Sequence, residues 1–278
     1  MYVPISYFCA LLYIFMSLFE ILALIIAGLF VGFINTLAGG GSIISLSVLM
    51  MLGLPAPVAN GTNRIAIAIQ NLVAVSSFKQ QKVLDAKKGI WLAIPAVVGS
   101  VIGAMIAADI NEEVFEKAIA VVMLMMLVFI VYKPQKWIKE QTDLVEKKVS
   151  FWQIVIFFFI GVYGGFIQIG VGYFLLAGIV LGAGYELVKA NAIKVLIVLL
   201  YSPFAIFVFF MNDQINWKYG LIMTVGNVAG AFIASRMAVA RGAKFVRWII
   251  VAVILITAAH LFDIINLKEL VSSLTPES

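Results

Sequence analysis

Arg64 and Lys194 are cations set into stretches that otherwise read as membrane-spanning. Arg64 ends the segment Ala59-Asn60-Gly61-Thr62-Asn63-Arg64 and is followed by Ile65-Ala66-Ile67-Ala68-Ile69. Lys194 ends Lys189-Ala190-Asn191-Ala192-Ile193-Lys194 and is followed by an apolar run from Val195 to Leu200. A charge at bilayer depth costs at least ~2.5 kcal/mol on insertion scales, so it usually faces an internal cavity and serves an ion or substrate. The chemistry open to this pair is anion binding. A guanidinium presents a planar fork of N–H donors to an oxyanion, and an ammonium presents a compact point charge. Asn63, Gln70 and Asn191 add neutral donors and acceptors. The competing reading is that each long side chain snorkels to an interface, which the nearby Lys189 makes open to Lys194.

A second group precedes each cation. Asn35-Thr36-Leu37-Ala38-Gly39-Gly40-Gly41-Ser42 falls where one apolar run stops and another starts. Consecutive glycines there leave backbone groups unpaired unless the chain is buried in protein or lines water. They also permit positive φ and close approach of N–H groups to a ligand. Ser42 is placed to begin the next helix, whose free N–H groups favour an anion. The second half offers Gln168-Ile169-Gly170-Val171-Gly172-Tyr173 at the corresponding place. Asn60 or Thr62 is expected to cap the helix that carries Arg64, aiming further N–H donors at one point.

The elements that must position these residues are apolar runs at about 19–36, 42–53, 62–78, 89–108 and 115–132. After a Lys- and Glu-rich stretch from Lys133 to Ser150, they resume at about 151–169, 172–183, 190–211, 218–235 and 246–264. The chain is 64% hydrophobic and 12% charged over 278 residues, against roughly 25% charged for a soluble domain. It therefore reads as an all-α polytopic membrane protein; the alternating ten-residue strands of a membrane β-barrel are absent. Several runs fall short of the ~20 residues of a full span. The pairs 19–36 with 42–53 and 151–169 with 172–183 are thus expected to be broken or re-entrant helices near the midplane.

The two halves repeat one another. Gly28 to Asn35 aligns with Gly161 to Gln168 at an offset of 133, Arg64 with Lys194 at 130, and Gly99-x3-Gly103 with Gly226-x3-Gly230 at 127. Loop charge suggests that the copies are inverted. Lys79–Lys88 holds four lysines and one aspartate while its counterpart Asn212–Lys218 is nearly neutral; Asp109–Lys117 is mostly acidic while Arg236–Arg247 is basic. Basic loops mark the cytoplasmic side, and opposite placement of equivalent loops requires an odd number of crossings per half. The expectation is two inverted repeats of about five helical segments each: residues 1–132, a cytoplasmic linker at 133–150, and residues 151–278. The alternative is chance loop charge with seven or eight full spans.

Other features narrow the function. Cys9 is the single cysteine and His260 the single histidine, which excludes an internal disulfide and a metal cluster. Met1 to Ser17 lacks a basic n-region and reads as the lead-in to a first helix. The glycine pairs read as close helix packing. Asn227, beside Gly226, serves either as a helix–helix hydrogen bond or as pathway lining. Phe157, Phe158, Phe159, Phe207, Phe209 and Phe210 are expected to face lipid or neighbouring helices. Glu20 and Asp263 lie near span ends, so a proton relay has no deep carboxylate and uniport stays open. Neither a Walker-type loop nor a nucleophile–base constellation is visible, which points away from an enzyme.

The segment Gly32-Phe33-Ile34-Asn35-Thr36-Leu37-Ala38-Gly39-Gly40-Gly41-Ser42, followed by Ala59 to Arg64, resembles the sulfite exporter TauE/SafE family of membrane transporters. Weaker second copies stand at Gly165 to Gly172 and Ala190 to Lys194, and the resemblance extends from about Gly28 to Asp263. It implies export or exchange of small sulfur-containing anions, such as sulfite, thiosulfate or organosulfonates, across the inner membrane. The second copy has Gly170 and Gly172 where the first has three glycines. The expected substrate-binding set is Asn35, Thr36, Gly39, Gly40, Gly41, Ser42, Asn60, Thr62, Asn63, Arg64, Gln168, Gly170, Gly172, Asn191 and Lys194. No catalytic residue, metal or cofactor is expected. The expected partners are a small anionic substrate and the lipid bilayer, with no nucleic acid, and a homodimer is an open arrangement. An anion channel and a non-transport scaffold or assembly subunit are the alternatives.

Overall fold

The computed structural model describes residues 5–109 and 141–261, with side chains described over 18–109, at 141, and over 143–253. The expected run at 115–132, linker residues 133–140 and Asp263 lie outside the described residues, as do the side chains of Cys9 and His260. All regular secondary structure among the described residues is helical. The first half contains α1 (Ile5–Leu37), α2 (Ser42–Met51), α3 (Ala56–Gln80) and α4 (Ala86–Asp109). After the short α5 (Thr142–Val145) come α6 (Phe151–Phe166), α7 (Val171–Ala177, continued by a π turn at Gly178–Gly182), α8 (Leu187–Met211) and α9 (Trp217–Leu261). The expected break between 235 and 246 reduces to one residue, Gly242, at φ 73° and ψ −177° within α9.

Local chemistry sets several boundaries. Ser150 and Gln153 form a reciprocal capping box at the start of α6. The Glu186 carboxylate accepts from the Val188 and Lys189 backbone N–H groups and so starts α8. One expectation is corrected at α3. This helix begins at Ala56 behind Pro55, so Asn60 and Thr62 lie inside it and cap nothing. Hydropathy hides those first turns because Asn60, Thr62, Asn63 and Arg64 are polar. They are nevertheless buried against other helices, and tertiary packing overrides local polarity.

Both expected breaks are present, each four residues long: 38–41 between α1 and α2, and 167–170 between α6 and α7. Gly39 (φ 95°) and Gly170 (φ 71°) supply the left-handed backbone that turns the chain. The breaks touch each other. A Cβ built on Gly39 would lie 2.3 Å from the Gly172 Cα, and one on Gly40 would lie 2.4 Å from the Tyr173 hydroxyl oxygen.

The halves interlock and do not form separate bodies. Gly28 and Gly32 of α1 pack on the backbone at Met223 and Asn227 of α9, while Gly226 and Gly230 pack on Ile25 and Leu29 of α1. Gly99 and Gly103 of α4 pack on Phe158 and Val162 of α6, and Gly161 and Gly165 pack on Ala96 and Ser100. In both interfaces the contacts advance together along the two chains, so each pair runs parallel. Small residues at this spacing let helices approach closely in lipid, where the hydrophobic effect does not drive association.

The body is apolar outside and polar within. Phe19, Ile26 and Phe30 of α1, Ile94 and Met105 of α4, Phe207 of α8 and Val225 of α9 are exposed, while Asn60, Asn63, Arg64, Gln70, Asn71, Gln168, Asn191, Lys194 and Asn227 are buried. This inverts the soluble pattern and is what contact with lipid selects. Among the described residues, four helices are long and apolar enough to cross a membrane: Leu18–Leu37, Ala86–Asp109, Leu187–Met211 and Trp217–Val253. Trp91, Trp152 and Trp217 are exposed near helix starts, and Trp248 is exposed six residues past the Gly242 kink, as an aromatic belt requires.

Candidate functional site: a cationic cavity at the crossed helix breaks

The last carbonyls of a helix have no partner within it. At the end of α1, the Ile34 carbonyl accepts from the Ala38 and Gly39 N–H groups as the chain turns away. The Asn35 and Thr36 carbonyls, next in line, accept from the Lys194 ammonium of α8, both at 2.9 Å. The end of α6 is finished in the same way. The Tyr163 carbonyl accepts from the Ile167 N–H. Arg64 of α3 donates to the Gly164 carbonyl at 3.0 Å and the Gly165 carbonyl at 2.5 Å, and Asn60 donates to the Phe166 carbonyl at 3.0 Å. Each half therefore sends its cation to the broken helix of the other half, where the helix dipole favours positive charge.

Neither cation snorkels: Arg64 is 0% and Lys194 2% exposed. No carboxylate is buried among the described residues. The Arg64 guanidinium lies 4.7 Å from the centre of the Phe209 ring, a cation–π contact that helps hold an unpaired charge in a dry site.

Lys194 opens onto a cavity lined by Asn35, Gly39, Ser42, Ile67, Gln70, Asn71, Gln168, Val171, Gly172 and Val198. The room is tight, ≈ 20 Å³ open to the centre of a water-sized molecule, just above the ~10–15 Å³ that one water needs. That is room for about one water, so an anion of several atoms needs the cavity to widen. The lining is held by its own hydrogen bonds. The Asn35 Oδ1 accepts from the Gly41 N–H at 2.7 Å, which folds the glycine turn against α1, and its Nδ2 donates to Ser42 Oγ at 3.4 Å. The Asn191 Oδ1 accepts from Lys194 at 2.6 Å. Neither amide atom of the buried Gln168 makes a hydrogen bond of good geometry, which leaves it open to a ligand.

Of the expected residues, Asn35, Gly39, Ser42, Gln168, Gly172 and Lys194 line the cavity. Thr36 and Asn191 stand behind it as partners of Lys194, and Gly40, Gly41 and Gly170 shape the two breaks. Arg64, Asn60 and Asn63 do not line it; the first two tie down α6, while the Asn63 amide is buried without a partner. Thr62 accepts from the Asn216 N–H at 2.8 Å and fixes the loop before α9. Lys194 thus faces this cavity, while Arg64 is tied to the α6 carbonyls beside it. Ile67, Gln70, Asn71, Val171 and Val198 are lining residues absent from the expected set. Residues 60, 63, 64, 67, 70 and 71 share one face of α3, so the helical spacing of its polar residues points from Arg64 to Gln70 and Asn71.

These features define a helical membrane protein with a buried cation at the meeting of two broken helices. The sulfite exporter TauE/SafE family matches residues 24–261, and the chain belongs to that family. It is 28% identical over 244 residues to the probable membrane transporter protein ORF9 of Sinorhizobium sp, covering 87% of this chain and 93% of the relative. It is 24% identical over 239 residues to a probable membrane transporter protein of Haemophilus influenzae, covering 85% and 92%. It is 26% identical over 255 residues to the probable membrane transporter protein YfcA of Escherichia coli, covering 89% and 93%. No solved structure matches at the same stringency.

Proposed function

We propose that this protein is a secondary transporter that exports or exchanges small sulfur-containing anions of the sulfite, thiosulfate or organosulfonate type across the inner membrane, with Lys194 supplying the charge that binds them. One observation carries the reading: Lys194 is buried on a cavity wall while no carboxylate is buried among the described residues. Its charge is partly offset by the α1 carbonyls, and a bound anion would complete the compensation. The cavity's small size favours a compact oxyanion.

The reading includes two inverted repeats that rock or gate against each other around the cavity. Support comes from the two ends of the molecule. At one end, Gln214 donates to the Ala108 carbonyl, Thr62 accepts from Asn216, and Tyr219 donates to Glu20. At the other, Tyr185 donates to Asp85, Lys88 donates to the Val145 and Lys147 carbonyls, and Arg236 donates to Gln80. The α1–α2 hairpin opens toward the first end and the α6–α7 hairpin toward the second, as inversion requires. The lysine-rich loop 79–88 lies at the second end, which is then cytoplasmic.

Liposomes containing the purified protein test this. Labelled sulfite should accumulate against internal unlabelled sulfite by exchange. Flux without exchange would make the protein a channel, and no flux would make it a scaffold.

A further inference from the structure

The Lys194 ammonium has three N–H donors, and the Asn35 carbonyl, the Thr36 carbonyl and the Asn191 Oδ1 take all three. Lys194 thus gives the cavity its charge with no donor left over. The direct hydrogen bonds to an anion must come from neutral groups on the wall, and this depends on which way each amide is turned. Asn71 commits one of its two Nδ2 hydrogens to the Ile67 carbonyl at 2.8 Å, which leaves it one donor and its acceptor oxygen. Gln70 is turned the opposite way. Its Oε1 accepts from Asn227 Nδ2 at 3.0 Å, leaving the two Nε2 hydrogens for the cavity.

Asn227 is well placed to fix that choice. It sits inside the glycine contact of α9 with α1, where a Cβ on Gly32 would lie 2.1 Å from its carbonyl oxygen and one on Gly28 would lie 2.9 Å from its Oδ1. The backbone beside it is therefore pinned and the side chain confined, with its Oδ1 buried and without a hydrogen-bond partner. The other half has no such strut: the residue 127 positions earlier, Ser100, donates to the Val97 carbonyl of its own helix at 2.9 Å, and the position matching Gln70 is Leu200. The device is present only on the side that faces the Lys194 cavity.

We propose that Gln70 is a hydrogen-bond donor to the anion, beside the open Gln168 amide, and that Asn227 is a positioning residue, turning the Gln70 amide so that its N–H groups face the cavity. This deepens the anion reading above and rests on it. The experiment is a double-mutant cycle on the purified full-length protein, with sulfite affinity measured by calorimetry. Gln70→Ala and Asn227→Ala should each weaken sulfite binding about tenfold, the worth of one charge-assisted hydrogen bond. If Asn227 acts through Gln70, the double variant should bind no more weakly than Gln70→Ala alone. Losses that multiply, or an Asn227→Ala protein with wild-type affinity, would overturn the proposal. Asn227→Ser, which copies the Ser100 of the other half, provides the same cycle should the alanine variant insert poorly. Failure of the wild-type protein to bind sulfite would sink the anion reading itself, whereas wild-type binding with no coupling would sink only the role given to Asn227.

Discussion

Gly39 and Gly172, 133 residues apart, meet back to back at the crossing of the two helix breaks, so that a Cβ on either would lie within 2.3–2.4 Å of the other's Cα. The contact involves backbone on both sides, so no side chain can rotate away to make room. Gly172→Ala should therefore lower stability by ~1–3 kcal/mol, the usual cost of overpacking. Gly39→Ala should cost more, because φ 95° adds backbone strain. Gly182→Ala is the control: nothing lies within 4 Å of its Cβ position. Thermal melts in detergent would check the ranking, and equal melting of Gly172→Ala and Gly182→Ala would contradict the close contact.

Arg64 has a bracing role that charge alone does not fill. Arg64→Ala leaves the Gly164 and Gly165 carbonyls without their donor, at ~1–3 kcal/mol for each buried group. Arg64→Lys keeps the charge but loses the two-pronged geometry, so its melting temperature should fall between wild type and Arg64→Ala. A lysine variant as stable as wild type would show that charge suffices.

Asn191→Asp separates charge from shape at Lys194. The carboxylate is nearly isosteric and keeps the acceptor that Asn191 presents at 2.6 Å, but it cancels the positive charge beside the cavity. Sulfite affinity should fall more than tenfold while the protein stays folded, since the ammonium keeps all three acceptors. Undiminished affinity would mean that the Lys194 charge is not what holds the anion.

The proposed inversion predicts sidedness. In a Cys9→Ser background, a membrane-impermeant maleimide added from outside should label Asn212→Cys and spare Lys79→Cys, since the two exposed positions lie at opposite ends of the molecule. Labelling of both from one side would contradict the inversion.

Much of this was readable in the chain itself. The glycine spacings at offsets 133 and 127 mark both helix interfaces because close packing in lipid leaves no substitute for a missing side chain. The glycine breaks were legible for a similar reason. The depth of Arg64 and Lys194 followed from the cost of burying charge. What the sequence concealed was direction. Hydropathy reads Asn60 to Asn63 as a loop because it counts polarity but not the surfaces that bury it. Nor does spacing say that each cation reaches the opposite half, since that depends on how the halves cross. Gln70 and Asn71 stand about two turns beyond Arg64; Gln70 was legible as a polar residue near the cation, and Asn71 only once the whole of α3 is taken as one polar face.

The most direct test is whether the charge on Lys194 is required to hold the anion. A ligand that binds only the folded protein raises its melting temperature with the logarithm of ligand concentration above the dissociation constant. The wild-type protein should melt progressively higher as sulfite is added, and Lys194→Gln should show no rise over the same range. Equal stabilisation of Lys194→Gln by sulfite would contradict the account.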